Sequence, residues 1–208
     1  MDPPEGAEAH VDLDEAMSAF GWAVIVGSLA IAAVFSVLAY HRPRPPYLYV
    51  AGGSVVVALV AASTTTTDVP PVAAPLIALL GLTAAVFGGS PAAATALQLA
   101  MGGSAAPGAH GGILVAVRPD EQLEPGVLAP RREVLRGGLT IGVLERIGSA
   151  GSIIAGFPEG LAIVVAVKGV GRFTELEAPE ARERFIIGTF ASLTWACAAA
   201  LAVHLAIR

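Results

Sequence analysis

The hydrophobic positions of this chain fall into long runs separated by short polar breaks or breaks rich in Pro and Gly. A helix needs about 20 predominantly apolar residues to cross a bilayer. Residues 18–40 supply the first such run. It ends at His41-Arg42-Pro43-Arg44-Pro45-Pro46, where prolines stop a helix and two arginines anchor it. Residues 47–64 predict the second span, and 65–71 predict a short polar turn. Residues 72–87 predict the third, with Pro75 near its start, where a missing N–H is tolerated.

Gly88-Gly89-Ser90-Pro91 then interrupts the pattern. Ser90 suits an N-cap and Pro91 a first helical position. A short helix over 91–101 is therefore expected, either in the interface or continuing the third span beyond a kink. Residues 102–136 form the longest polar connection, with one apolar run at 113–117 that suits a strand or a core segment. So few residues predict a loop and no independent domain.

Residues 137–156 and 158–171 predict the two arms of a helical hairpin turning at Phe157-Pro158-Glu159. The alternative is a single span over 147–167, flanked by Arg146 and Lys168. Residues 174–184 read as a solvated loop or short helix, with Pro179 suited to a helix start. The last span covers 185–207 and ends at Arg208.

Arginine placement favours the hairpin. With the acidic N-terminus external, the internal loops hold Arg42, Arg44, Arg118, Arg131, Arg132, Arg136, Arg172, Arg182 and Arg184. The external loops hold none, as the positive-inside rule requires. A single span would move Arg172, Arg182 and Arg184 outside. The expectation is thus an all-α polytopic bundle of six spans (five as the alternative) with both termini external. It has an acidic external tail (1–17), an N-terminal membrane region (18–101), a cytoplasmic loop (102–136) and a C-terminal membrane region (137–208).

Composition agrees with this pattern. The chain of 208 residues is 55% hydrophobic and only 14% charged, against about 25% charged in a soluble domain. Its mean hydropathy is +0.72. A net charge of −5 and the lack of a basic groove with interleaved aromatics argue against nucleic-acid binding. Bias toward Arg, Ala, Gly and Val, with Lys168 as the sole lysine, suggests a GC-rich bacterial genome. The first seventeen residues hold six acids and no base, unlike the positive start of a signal peptide. The expected location is therefore a bacterial cytoplasmic membrane. Lipid is the expected partner, with a second copy or a membrane protein as further candidates.

Three charges interrupt the C-terminal apolar runs. Charge at membrane depth is costly and needs a partner or a purpose. Glu145 lies twelve residues before Phe157 and Lys168 eleven after it. Antiparallel arms would bring the two to nearly equal depth, about 17–18 Å from the turn. An ion pair between them follows. Arg146 points about 100° away from Glu145. It is expected to snorkel to the internal headgroups or to meet another acid. Gly138, Gly142, Glu145, Ser149, Ser152 and Gly156 recur at alternating steps of four and three, marking one small and polar helix face. Gly188, Ser192, Ala196 and Ala199 mark a similar face on the last span. Such faces permit close helix packing. The same small, polar face would also suit the lining of a path for a solute.

Catalytic and metal chemistry finds little footing. Ser149, Ser152 and His204 are the elements of an intramembrane serine protease, yet Gly-x-Ser-x-Gly is absent and His204 lies near the external end whereas Ser149 is mid-helix. His10, His41, His110 and His204 show no i, i+4 metal spacing, and Cys197 stands alone. The Gly-Gly-Ser triplets at 52–54, 88–90 and 102–104 carry no phosphate-binding pattern and read as caps and kinks. No cofactor and no enzymatic activity are expected.

Three patches resemble an uncharacterised family of bacterial integral membrane proteins. Gly138-Leu139-Thr140-Ile141-Gly142-Val143-Leu144-Glu145-Arg146 is similar to that family's Gly-x-x-Ile-Gly-x-Leu-Glu-Arg run. Ala166-Val167-Lys168-Gly169-Val170-Gly171-Arg172-Phe173 resembles its Ala-x-Lys-x-x-x-Arg-Phe run, with Gly169 in place of a serine. Ile187-Gly188-Thr189-Phe190-Ala191-Ser192 resembles its Ile-Gly-Thr-x-x-Ser run. The N-terminal half lacks the family's His- and Asp-bearing apolar section. The resemblance implies a specific role for Glu145, Arg146, Lys168 and Arg172 and names no activity.

Overall fold

Proline, glycine and hydroxyl side chains set the helix ends in the computed structural model. It describes residues 5–101, 113–116, 131–134, 138–172 and 179–208, with side chains over 15–101, 138–171, 179 and 181–208. Six helices form among the described residues: α1 (Glu5–His41), α2 (Pro45–Thr64), α3 (Ala73–Met101), α4 (Gly138–Ile154), α5 (Gly160–Arg172) and α6 (Pro179–Ile207). Arg44 is extended, as a residue before proline must be, and Pro45 opens α2. At the other end of α2, the Thr65 N–H and hydroxyl both donate to the Ala61 carbonyl, at 3.0 and 2.8 Å. These bonds satisfy a carbonyl that the helix end would leave bare.

Gly156 ends α4 with φ +76°. Its N–H donates to the Ile153 carbonyl (3.0 Å), and the Phe157 N–H reaches the Ser152 carbonyl (2.8 Å). This pair of bonds is a Schellman cap. It reverses the chain into α5 and removes the alternative of one continuous span over 147–167. Gly148 lets α5 approach, since a Cβ there would lie 3.2 Å from Val164 Cγ2.

Four helical segments are long and apolar enough to cross a membrane: Glu15–His41, Pro45–Thr64, Ala73–Met101 and Ala181–Ile207. α4 has 17 residues and α5 has 13. At 1.5 Å per residue α5 is only about 20 Å long, against a hydrocarbon core of about 30 Å. The expected six spans become, by length, four long helices and a hairpin of two shorter ones.

Other boundaries differ as well. α3 runs unbroken through Pro91, so the helix expected over 91–101 continues the third span, the second of its two expected forms. α1 begins at Glu5 and takes up most of the expected acidic tail. α6 begins at Pro179, merging the expected short helix with the last span. Helices propagate more readily than they nucleate, which favours these extensions. In the expected loop, β1 (Ile113–Ala116) pairs antiparallel with β2 (Arg131–Val134), setting Ile113 opposite Val134. The rest of 102–136 lies outside the described residues.

α3 and α6 form the most extensive helix contact, α1 packs on α2 and α3, and α4 packs on both α6 and α3. Midway along α1, Trp22, Ile25 and Leu29 pack with Ala62, Ile77, Val203 and Ala206. The adjoining layer is mostly alanine: Ala32, Ala33, Ala84, Ala85, Ala150, Ala196, Ala199 and Ala200. The end of α6 therefore lies beside the middle of α1. Bulky residues such as Val56, Val60, Leu79, Leu144 and Val167 face outward. Small residues inside and large apolar ones outside suit close helix packing in a lipid solvent.

The Gly156 cap yields a stability prediction. Gly156→Ala places a Cβ in the left-handed region and is expected to cost about 1–2 kcal/mol. Thermal unfolding in detergent, compared with Gly151→Ala at an unobstructed helical site, measures the difference.

Candidate functional site

The α4–α5 hairpin brings Glu145 and Lys168 together. The Lys168 ammonium donates to Glu145 Oε2, and the pair is mostly buried. Lys168 Nζ also lies 5.4 Å from the centroid of the Phe185 ring on α6, a cation–π distance. Glu145 Oε1 is buried and has no hydrogen-bond partner among the described residues.

Arg146, one residue on, points about 100° away and enters the bundle. Its side chain is only 3% exposed. Nε donates to the Val86 carbonyl at 2.7 Å, Nη1 to Ser192 Oγ at 3.0 Å and Nη2 to Ser90 Oγ at 3.0 Å. One guanidinium thus joins α3, α4 and α6. The expected snorkelling to headgroups does not occur. The planar fork finds hydroxyls and a carbonyl at its own depth, and no acid on another helix is needed.

The local sequence of α3 makes this seat. Pro91 supplies no N–H to the Phe87 carbonyl, and its ring crowds the preceding turn. Two carbonyls a little earlier in α3 accept from other helices: Val86 from Arg146, and Ala84 from Trp195 Nε1 at 2.9 Å. Gly88 and Gly89 give both donors room. A Cβ on Gly88 would overlap the Trp195 indole, and one on Gly89 would overlap Arg146 Cδ. Ser90, expected as an N-cap, instead accepts from the guanidinium.

The expected single face of α4 divides between two neighbours. Glu145, Gly148 and Ser152 face α5, where Ser152 crowds Gly160. Arg146, Ser149 and Ala150 are buried on the bundle side. Steps averaging 3.5 residues drift by about 20° per heptad on a straight helix, so the residues cannot all meet one partner. Gly142 lies under the guanidinium, with its Cβ position 3.1 Å from Arg146 Nη1. Gly138 opens α4 and Gly156 is its cap. On α6, Ser192 meets Arg146, whereas Gly188 faces Leu97 of α3. Arg172 ends α5, and its side chain lies outside the described residues.

Ser149 and Ser152 do not meet His204. The histidine reaches the Gly156 turn, with Cε1 3.9 Å from a Cβ placed there, and that turn is about 10 Å along α4 from Ser149. Ser152 donates to the Ser149 carbonyl. Trp195 and the Val86 carbonyl are the participants that sequence reading missed. Two adjacent glycines before an intrahelical proline were the available sign, since they mark close approach to a backbone. Comparison with protein-family models, curated proteins and solved structures gives no match for this chain.

Two measurements probe the site. Arg146→Met removes three charge-assisted bonds and Gly89→Ala displaces the same side chain. Each is expected to cost about 3 kcal/mol in detergent unfolding, and the double variant less than the sum, because both act on one contact. Separately, Glu145→Lys and Lys168→Glu are each expected to destabilise, while the double reversal recovers part of the loss.

Proposed function

We propose that this chain is an integral membrane protein acting as a non-enzymatic scaffold or accessory component, with lipid and a further membrane protein or a second copy as partners. The observation that carries the reading is the use of buried charge for internal contacts. Arg146 joins three helices, and Lys168 joins α5 to α4. Four long apolar helices support the membrane setting. The resemblance to bacterial integral membrane proteins falls on the same charged residues and favours a bacterial cytoplasmic membrane.

In the proposed topology the hairpin supplies the fourth and fifth of six membrane elements, and both termini are external. Arg42 and Arg44 belong to the α1–α2 link, Arg131 and Arg132 to β2, and Arg182 and Arg184 to the first turns of α6. All these connections adjoin the end of the bundle where α1 and α3 finish, which suits a cytoplasmic face. The short α5 would thin the bilayer locally or be covered by a partner.

A second reading, a small-solute or ion transporter, is favoured by one observation: the unpartnered, buried Glu145 Oε1. An ionisable oxygen held away from solvent is a feature of ion pathways. Purified protein in liposomes separates the two readings. The scaffold reading expects no protein-dependent proton or cation flux. Flux that disappears in a folded Glu145→Gln variant would replace it with transport. For the topology, cysteines introduced at Glu159 and Arg172, in a Cys197→Ala background, are expected to label from opposite sides of the membrane. Labelling from one side would overturn the hairpin topology.

A further inference from the structure

We propose that residues 90–101 of α3 form a proline-hinged arm, and that Arg146 is the latch holding it in place. This device stands apart from the choice between scaffold and transporter.

Burial along α3 is uneven. Ile77, Gly81, Ala84, Ala85, Val86, Gly88 and Gly89 are buried, and none of the buried residues of α3 lies beyond Gly89. Leu99 is 79% exposed. The arm therefore has no residue in the core. Its contact with α6 includes Leu97, whose Cδ1 lies 3.6 Å from a Cβ placed on Gly188. That is ordinary van der Waals contact, outside the core.

The join to the rest of α3 is also weak. Gly88-Gly89-Ser90-Pro91 combines two residues of high backbone freedom with a proline that deletes a helical bond. Sharp bends in helices occur at such sequences. The latch braces this turn. Arg146 Nε holds the Val86 carbonyl and Nη2 holds Ser90 Oγ, four residues apart on α3, while Nη1 is tied to Ser192 on α6. The rigid guanidinium fixes the separation of its two α3 partners, and so the pitch of the turn that aims the arm. Trp195 braces the same turn through the Ala84 carbonyl. Loss of the guanidinium would remove the brace between Val86 and Ser90, and the arm would swing about Pro91.

Paired spin labels test the device in the full chain. Leu99→Cys on the arm and Tyr49→Cys on α2 are both exposed, and Cys197→Ala removes the native thiol. The parent is expected to give one narrow distance population in lipid nanodiscs. Arg146→Met should raise a second population by about tenfold, the shift that losing one charge-assisted bond permits. Adding Pro91→Ala restores the helical bond and should return the single population. An unchanged distribution in Arg146→Met, or a second population that persists with Pro91→Ala, would overturn the proposal. Should Arg146→Met not fold, Ser90→Ala with Ser192→Ala removes two of the three latch bonds. The same second population is then expected, and its absence would equally overturn the latch.

Discussion

A carbonyl that loses its helical donor among apolar side chains has no water to turn to. The carbonyl so affected is that of Phe87, at the turn of α3 before Pro91, and α4 and α6 both place polar side chains against this stretch of helix. Arg146 and Trp195 bring donors from two other helices to the Val86 and Ala84 carbonyls. These bonds are local, yet they fix how α4 and α6 sit against α3. α4 in turn holds α5 through Glu145 and Lys168. The C-terminal hairpin is thus tied to the N-terminal helices through one flawed turn.

Two adjacent charges serve two interfaces. Consecutive residues on a helix diverge by about 100°, so Glu145 and Arg146 face different neighbours. The glutamate meets a formal counter-charge on a short helix. The arginine meets neutral oxygens and no hydrogen-bonded carboxylate among the described residues. A guanidinium can do this because its charge is delocalised over several donors and it is weakly hydrated. A lysine at the same place would offer a compact charge and a different reach.

The long helices were legible because unbroken apolar length is a strong signal. The matched depth of Glu145 and Lys168 was legible because helix rise is constant and the Pro158 turn was visible. The fate of Arg146 was not. Its partners lie 56 and 46 residues away, at Ser90 and Ser192, and no local pattern reports which helices become neighbours. Gly88 to Pro91 misled for a related reason. Locally the sequence ends one helix and caps another, but α3 continues, braced there by side chains of α4 and α6.

The interior of this bundle consists mainly of alanine, with bulk placed outside. A methyl side chain has no rotamers to lose on burial. Assembly of the helices therefore freezes little side-chain motion, and the branched residues on the periphery keep theirs. The usual polarity of mutational damage is reversed as a result. Trimming side chains, the common injury to a soluble core, has little to remove here. Enlargement is the hazard, and sequence drift can proceed freely outside while the interior admits almost no growth.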